Sequence, residues 1–79
     1  MKITIERKEK IEIEVNLPAF RKNLFHFYKI EENKTTTVFE SYQSYSIDVR
    51  EFIMQYTFEY ETITEQEFNE VYNQVKSKL

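Results

Sequence analysis

The stretch that most constrains this chain is Ile63 to Leu79, where a helix start and an apolar stripe coincide. Thr64-Glu65-Gln66-Glu67 fits the capping box. In that motif the Thr64 hydroxyl accepts from the Glu67 N–H, and the Glu67 carboxylate reaches back to the Thr64 N–H. Ile63 before the cap and Phe68 at the fourth helical position supply the matching hydrophobic staple. Glu65 and Glu67 sit where the helix dipole favours anions, and Lys76 and Lys78 sit at the opposite end. Phe68, Val71, Tyr72, Val75 and Leu79 recur at helical spacing, so one face is apolar. Asn69, Glu70, Asn73, Gln74 and Lys76 take the wet side. A single amphipathic helix must bury its stripe against something, and the rest of the chain reads as the sheet it covers.

That remainder alternates with period two. Lys2–Arg7 places Ile3 and Ile5 on one face. Residues 11–17 place Ile11, Ile13, Val15 and Leu17 on one face and Glu12, Glu14 and Asn16 on the other. Both read as half-buried antiparallel strands, with a turn over Arg7–Lys10. Pro18 ends the second strand, because it cannot donate to a ladder. Ala19–Asn23 reads as a connection. Leu24–Glu31 reads as a third strand, with Leu24, His26, Tyr28 and Ile30 on one face and Phe25 and Phe27 on the other. Glu32-Asn33-Lys34 is a turn in which Asn33 is expected to take positive φ. Thr35–Glu40 is β-branched and reads as a fourth strand, and Ser41–Val49 as a fifth. In Phe52–Glu61 the alternation of Phe52, Met54, Tyr56, Phe58 and Tyr60 favours a sixth strand over a helix. The expected fold is α+β: a mostly antiparallel sheet of about five to six strands with one C-terminal helix packed on one face. Residues 1–79 are expected to form a single small domain.

Composition then removes several chemistries. The chain has no glycine and no cysteine. Phosphate-binding loops, dinucleotide fingerprints and nucleophile elbows all need glycine for close approach or positive φ. Without cysteine there is neither a disulfide nor a thiolate metal site. Seven phenylalanines and six tyrosines must supply much of the core instead. The formal charge is −3. Residues 1–40 carry 8 basic and 7 acidic groups, and residues 41–79 carry 3 and 7. Neither half is basic enough to imply a nucleic-acid backbone partner. The first residues hold no apolar signal region and no run is long enough to span a bilayer, so a cytoplasmic protein is expected.

Three segments have a familiar look: Ile13-Glu14-Val15-Asn16-Leu17-Pro18-Ala19-Phe20-Arg21-Lys22, Phe25-His26-Phe27-Tyr28-Lys29-Ile30 and Ile63-Thr64-Glu65-Gln66-Glu67-Phe68. Together the pattern resembles small Bacteroides-type proteins with a Leu-Pro-aromatic-Arg-Lys strand end, an aromatic-Tyr-Lys-Ile strand and a terminal Ile-Thr-x-x-Glu-Phe helix. The resemblance implies a fold of the kind just described and carries no activity or functional residue with it.

Candidate chemistry is sparse. His26 is the single histidine. An acid–base or metal role would need partners, and it stands mid-strand between two phenylalanines. Glu12 and Glu14 share a strand face, as do Glu59 and Glu61, which is the pattern of a wet strand face as well as of a carboxylate pair. Ser41, Ser44 and Ser46 have no evident base or oxyanion loop. No catalytic residue, metal site or cofactor is therefore expected, and the chain reads as non-enzymatic.

The most informative feature is aromatic. If the helix covers the other face, Phe25 and Phe27, joined by Tyr42 and flanked by Lys29 and Arg21, form an exposed interaction face. The three rings would present roughly 450–700 Å². A protein partner or self-association as a homodimer is the leading expectation. Two alternatives stay open: a single-stranded nucleic-acid binder using the sheet aromatics, which the charge disfavours, and a small acidic inhibitor or accessory protein from a mobile element. A further possibility is that loops of the same chain bury both sheet faces.

Overall fold

A computed structural model describes residues 1–6 and 12–79. The strands are β1 (Lys2–Glu6), β2 (Glu12–Asn16), β3 (Ala19–Asn23), β4 (His26–Ile30), β5 (Thr35–Glu40), β6 (Tyr45–Arg50) and β7 (Glu61–Thr62). The helices are α1 (Tyr56–Glu59) and α2 (Glu65–Lys78). β1 and β2 pair as a separate antiparallel two-stranded sheet, with Ile3 opposite Val15. The other five strands form one antiparallel sheet in the order β6-β5-β4-β3-β7. The fold is thus α+β, with the C-terminal helix packed on the larger sheet. The turn expected over Arg7–Lys10 lies outside the described residues.

The helix start is as the sequence requires. Thr64 is extended, and its Oγ1 accepts from the Glu67 N–H at 3.1 Å. Ile63 and Phe68, the staple pair, are both buried. One half of the capping box is replaced, because the Glu67 carboxylate turns to Lys22 Nζ, 3.8 Å away. Lys22 also faces Glu61 across the β3–β7 ladder at 3.8 Å, so one ammonium ties β3, β7 and the first turn of α2. Along the stripe Phe68 and Val75 are buried and Val71 and Tyr72 pack beside them. Leu79 is the correction: it lies past the end of the sheet contact and is 69% exposed.

Register settles which residues share a face. Phe20, Lys29, Thr36 and Val49 are in line, as are Lys22, Phe27, Val38 and Ile47. Phe20 and Val38 are buried with Ile63, Phe68 and Val75, and Phe27, Tyr45 and Ile47 pack against them. This is the face under α2. The second face carries Ala19, Tyr28 and Ile30, buried with Val15 and Leu17 of the β2 end, and Ile3, Phe52, Tyr56, Phe58 and Tyr60 close over them. Both faces of β3 and β4 are therefore covered, which is why Ala19 and Phe20 are buried in succession.

Four expectations are corrected. Ala19–Asn23 is strand β3 rather than a connection; Arg21 and Lys22 fit a covered strand because their long stems bury while their heads reach polar partners. The positive φ falls on Leu24, at 51°, and not on Asn33. Only Leu24 and Phe25 separate the paired Asn23 and His26, and this tight reversal forces the left-handed region there. The fifth strand starts late, since Ser41–Ser44 is a turn closed by the Ser41 N–H on the Ser44 carbonyl at 2.9 Å. Residues 52–61 are not a sixth strand. Phe52, Tyr56 and Tyr60 fit a spacing of four as well as of two, and packing against Tyr28 selects the helical reading.

Candidate interaction site

The five residues expected to form an exposed aromatic face do not come together. Phe27 lies on the α2 face and packs against its core. Lys29 is on that same face, half-buried, in a groove it shares with Phe68 and Tyr72. Arg21 points the other way. Its Nε donates to the Thr57 carbonyl at 3.1 Å and its Nη1 to the Phe20 carbonyl at 2.9 Å, so it fastens α1 to β3. Burial pushes the Arg21 guanidinium below its ordinary pKa. Phe25 and Tyr42 line one open pocket with Glu40, Ser41 and Tyr45. Phe25 is half exposed and Tyr42 is 96% exposed. The expectation failed at Phe27 because the alternation cannot say which of two covered faces a helix chooses.

His26 occupies a different place. It lines a groove of about 200 Å³ with Tyr28, Thr37, Phe39, Ser46, Asp48, Arg50 and Tyr56. The groove is the part of the second face that α1 leaves open over β5 and β6. Serine, histidine and aspartate share it, yet they are not aligned for nucleophilic catalysis, which needs the base hydrogen-bonded to both neighbours. Asp48 lies instead 3.7 Å from Arg50 on its own strand. The His26 ring packs on Phe39, with centroids 4.9 Å apart. At the closed end of the groove Tyr28 stacks on Tyr60 at 5.2 Å and meets Tyr56 at 4.5 Å. Burial, then the neighbouring Tyr60 and Tyr56 and a hydrogen bond with Tyr60, push the Tyr28 phenol up to about 12. No cluster of three or more metal-ligating side chains is present among the described residues.

The sheet has two unlike edges. β7 is two residues long and presents almost no backbone. β6 is six residues long, ends the strand order, and is exposed at Ser46, Asp48, Val49 and Arg50. The Ser41–Ser44 bond fixes the phase of the β5–β6 ladder. Hydrogen-bonded pairs alternate from there, so Ser46, Asp48 and Arg50 bond to β5. The N–H and C=O groups of Tyr45, Ile47 and Val49 consequently point off the sheet. Val49 also exposes 62% of its surface. The sequence contained the signal, a regular alternation over residues 45–50, but no means of telling an edge strand from an inner one. Compared with known proteins, the chain matches no family model, no curated protein and no solved structure.

Proposed function

We propose that the chain is a small non-enzymatic protein-interaction module that self-associates through the free edge of β6. The observation that carries this reading is the row of outward backbone groups at Tyr45, Ile47 and Val49, along the edge of β6 opposite β5, which no described element pairs. Such an edge is a template for another strand unless it is short, bulged or covered. β7 is protected by its shortness; among the described residues β6 is neither short, bulged nor covered, and its Asp48 and Arg50 carry opposite charges that a second copy can pair.

The charges on β6 choose the register. In an antiparallel pair of two β6 strands related by a two-fold axis, each residue faces one fixed counterpart. An axis at Asp48 sets two carboxylates opposite each other, which is destabilising. An axis at Ile47 sets Asp48 opposite a serine. An axis at Val49 sets each Asp48 opposite the Arg50 of the other copy. It also makes Val49 a hydrogen-bonded pair with itself, as its outward backbone groups require. The favoured dimer is centred on Val49.

Sedimentation velocity over a wide concentration range tests the proposal. The wild-type chain should dimerise reversibly, and Val49→Pro should remain monomeric with unchanged circular dichroism. Proline is tolerated there because the Val49 N–H points away from β5. Asp48→Arg or Arg50→Asp should weaken the dimer, and the double exchange should restore it. A wild type that stays monomeric throughout, or a Val49→Pro chain that still dimerises, overturns the reading.

A further inference from the structure

The pocket lined by Phe25 and Tyr42 has a composition that the edge of β6 does not explain. Phe25, Tyr42 and Tyr45 contribute three rings and Glu40 one carboxylate, around a volume of about 400 Å³. Phe25 pairs with Glu40, and Glu40 with Tyr45, so all three rise from the same face on adjacent strands. Glu40 Oε2 is shielded from solvent and has no hydrogen-bond partner. A shielded carboxylate oxygen without a partner is costly, and in native structures it ordinarily has a counter-group. Aromatic faces are negative at their centres and attract cations. Tyr45 already does so outside the pocket lining, where Lys78 Nζ lies 4.6 Å from its ring centroid and 3.3 Å from its hydroxyl.

We propose that this pocket binds a small alkylammonium cation, with Glu40 supplying the charge and Phe25, Tyr42 and Tyr45 the ring faces. An anion is disfavoured by Glu40. A hard metal ion needs a shell of six or more oxygen ligands. Apart from backbone carbonyls, the lining offers the carboxylate, two phenols and a serine hydroxyl, and that hydroxyl already donates to the Ser44 carbonyl at 3.4 Å. The volume lies within the range of small-molecule sites. A methylated ammonium fits best, because its spread charge and apolar methyl groups suit ring faces better than a strongly hydrated ion does. Tyr42, 96% exposed on a hairpin tip, is free to close over the ligand. The site shares Tyr45 with β6 but uses only its side chain, on the α2 face, so choline binding is read separately from self-association.

Nuclear magnetic resonance titration of the intact chain with tetramethylammonium and with choline, against sodium chloride at equal ionic strength, tests the proposal. Saturable shifts should appear at Phe25, Glu40, Tyr42 and Tyr45. 3,3-Dimethylbutan-1-ol, which has the shape of choline without its charge, should leave them unmoved. Tyr42→Ala, at a position where no packing is lost, should weaken choline roughly threefold to thirtyfold. Glu40→Gln should weaken it by about tenfold or more. The proposal is overturned if the shifts match the sodium chloride control, if the neutral analogue binds as well as choline, or if both variants bind like wild type.

Discussion

The two faces of the five-stranded sheet are closed in different ways. Under α2 the cover is one continuous helix, self-capped at Thr64, whose buried side chains are hydrocarbon: Phe68 and Val75 against Phe20 and Val38. On the other face the cover is assembled from short pieces: a β1–β2 end, a four-residue helix without a side-chain cap, and aromatic residues from 52 to 60. That face tolerates polar atoms in its interior. Thr35 is fully buried with its Oγ1 unpartnered, Thr57 Oγ1 donates to the Met54 carbonyl at 2.7 Å, and three tyrosines stack together. It also stops short, leaving the His26 groove open above β5 and β6. The amphipathic helix covers the middle of its face with one continuous apolar stripe and leaves grooves beside Lys29 and around Glu40; the patchwork covers its face only where each piece reaches.

If this contrast is right, the largest loss comes from the α2 face. Phe68→Ala should cost ~3–5 kcal/mol in chemical denaturation, because a large buried ring leaves a cavity. Leu79→Ala on the same sequence stripe should stay within ~0.5 kcal/mol, since Leu79 is exposed. Equal losses would place the helix in another register. Next in size, Thr64→Ala should cost ~0.5–2 kcal/mol by orphaning the Glu67 N–H.

These two effects were legible in the sequence, and the reason is local. A cap, a staple and a stripe are all encoded within seventeen neighbouring positions, and each agrees with the others. The second face was not legible. Tyr28, Tyr56 and Tyr60 belong together only after β4 has met α1, and their spacing fits either period. The same holds for Arg21, whose partner Thr57 is 36 residues away. Of the aromatic interaction face, Phe25 and Tyr42 are exposed as expected, but at turns rather than inside the strands expected for them. Phe27 was misassigned because a strand covered on both sides has no wet face to orient it.

The polar interior of the second face provides a test of opposite sign. Thr35→Val should stabilise the fold by up to ~1 kcal/mol, since it removes a buried hydroxyl that bonds nothing and keeps the shape. Among the described residues buried in the α2-side cluster, none carries a hydroxyl to remove in this way. Smaller still at neutral pH is the contribution of Tyr28 to pH dependence. Its phenol is raised from 10.0 to about 12, so the stability tied to keeping it neutral is complete below pH 10 and is lost as pH rises through about 12. Alkaline denaturation of Tyr28→Phe should show a shallower loss over that window than wild type. Identical slopes would mean that the phenol shared with Tyr56 and Tyr60 is not held neutral.

The most direct measurement of the central claim, that both faces are covered and that α2 chose the Phe27 side, compares two serine variants by urea denaturation. Phe27→Ser should lose ~2–4 kcal/mol, and Phe25→Ser, on a half-exposed ring at the turn, no more than ~1 kcal/mol. A Phe27→Ser chain as stable as wild type would contradict the account, because it would return Phe27 to a solvent-facing surface and move α2 to the opposite face of the sheet.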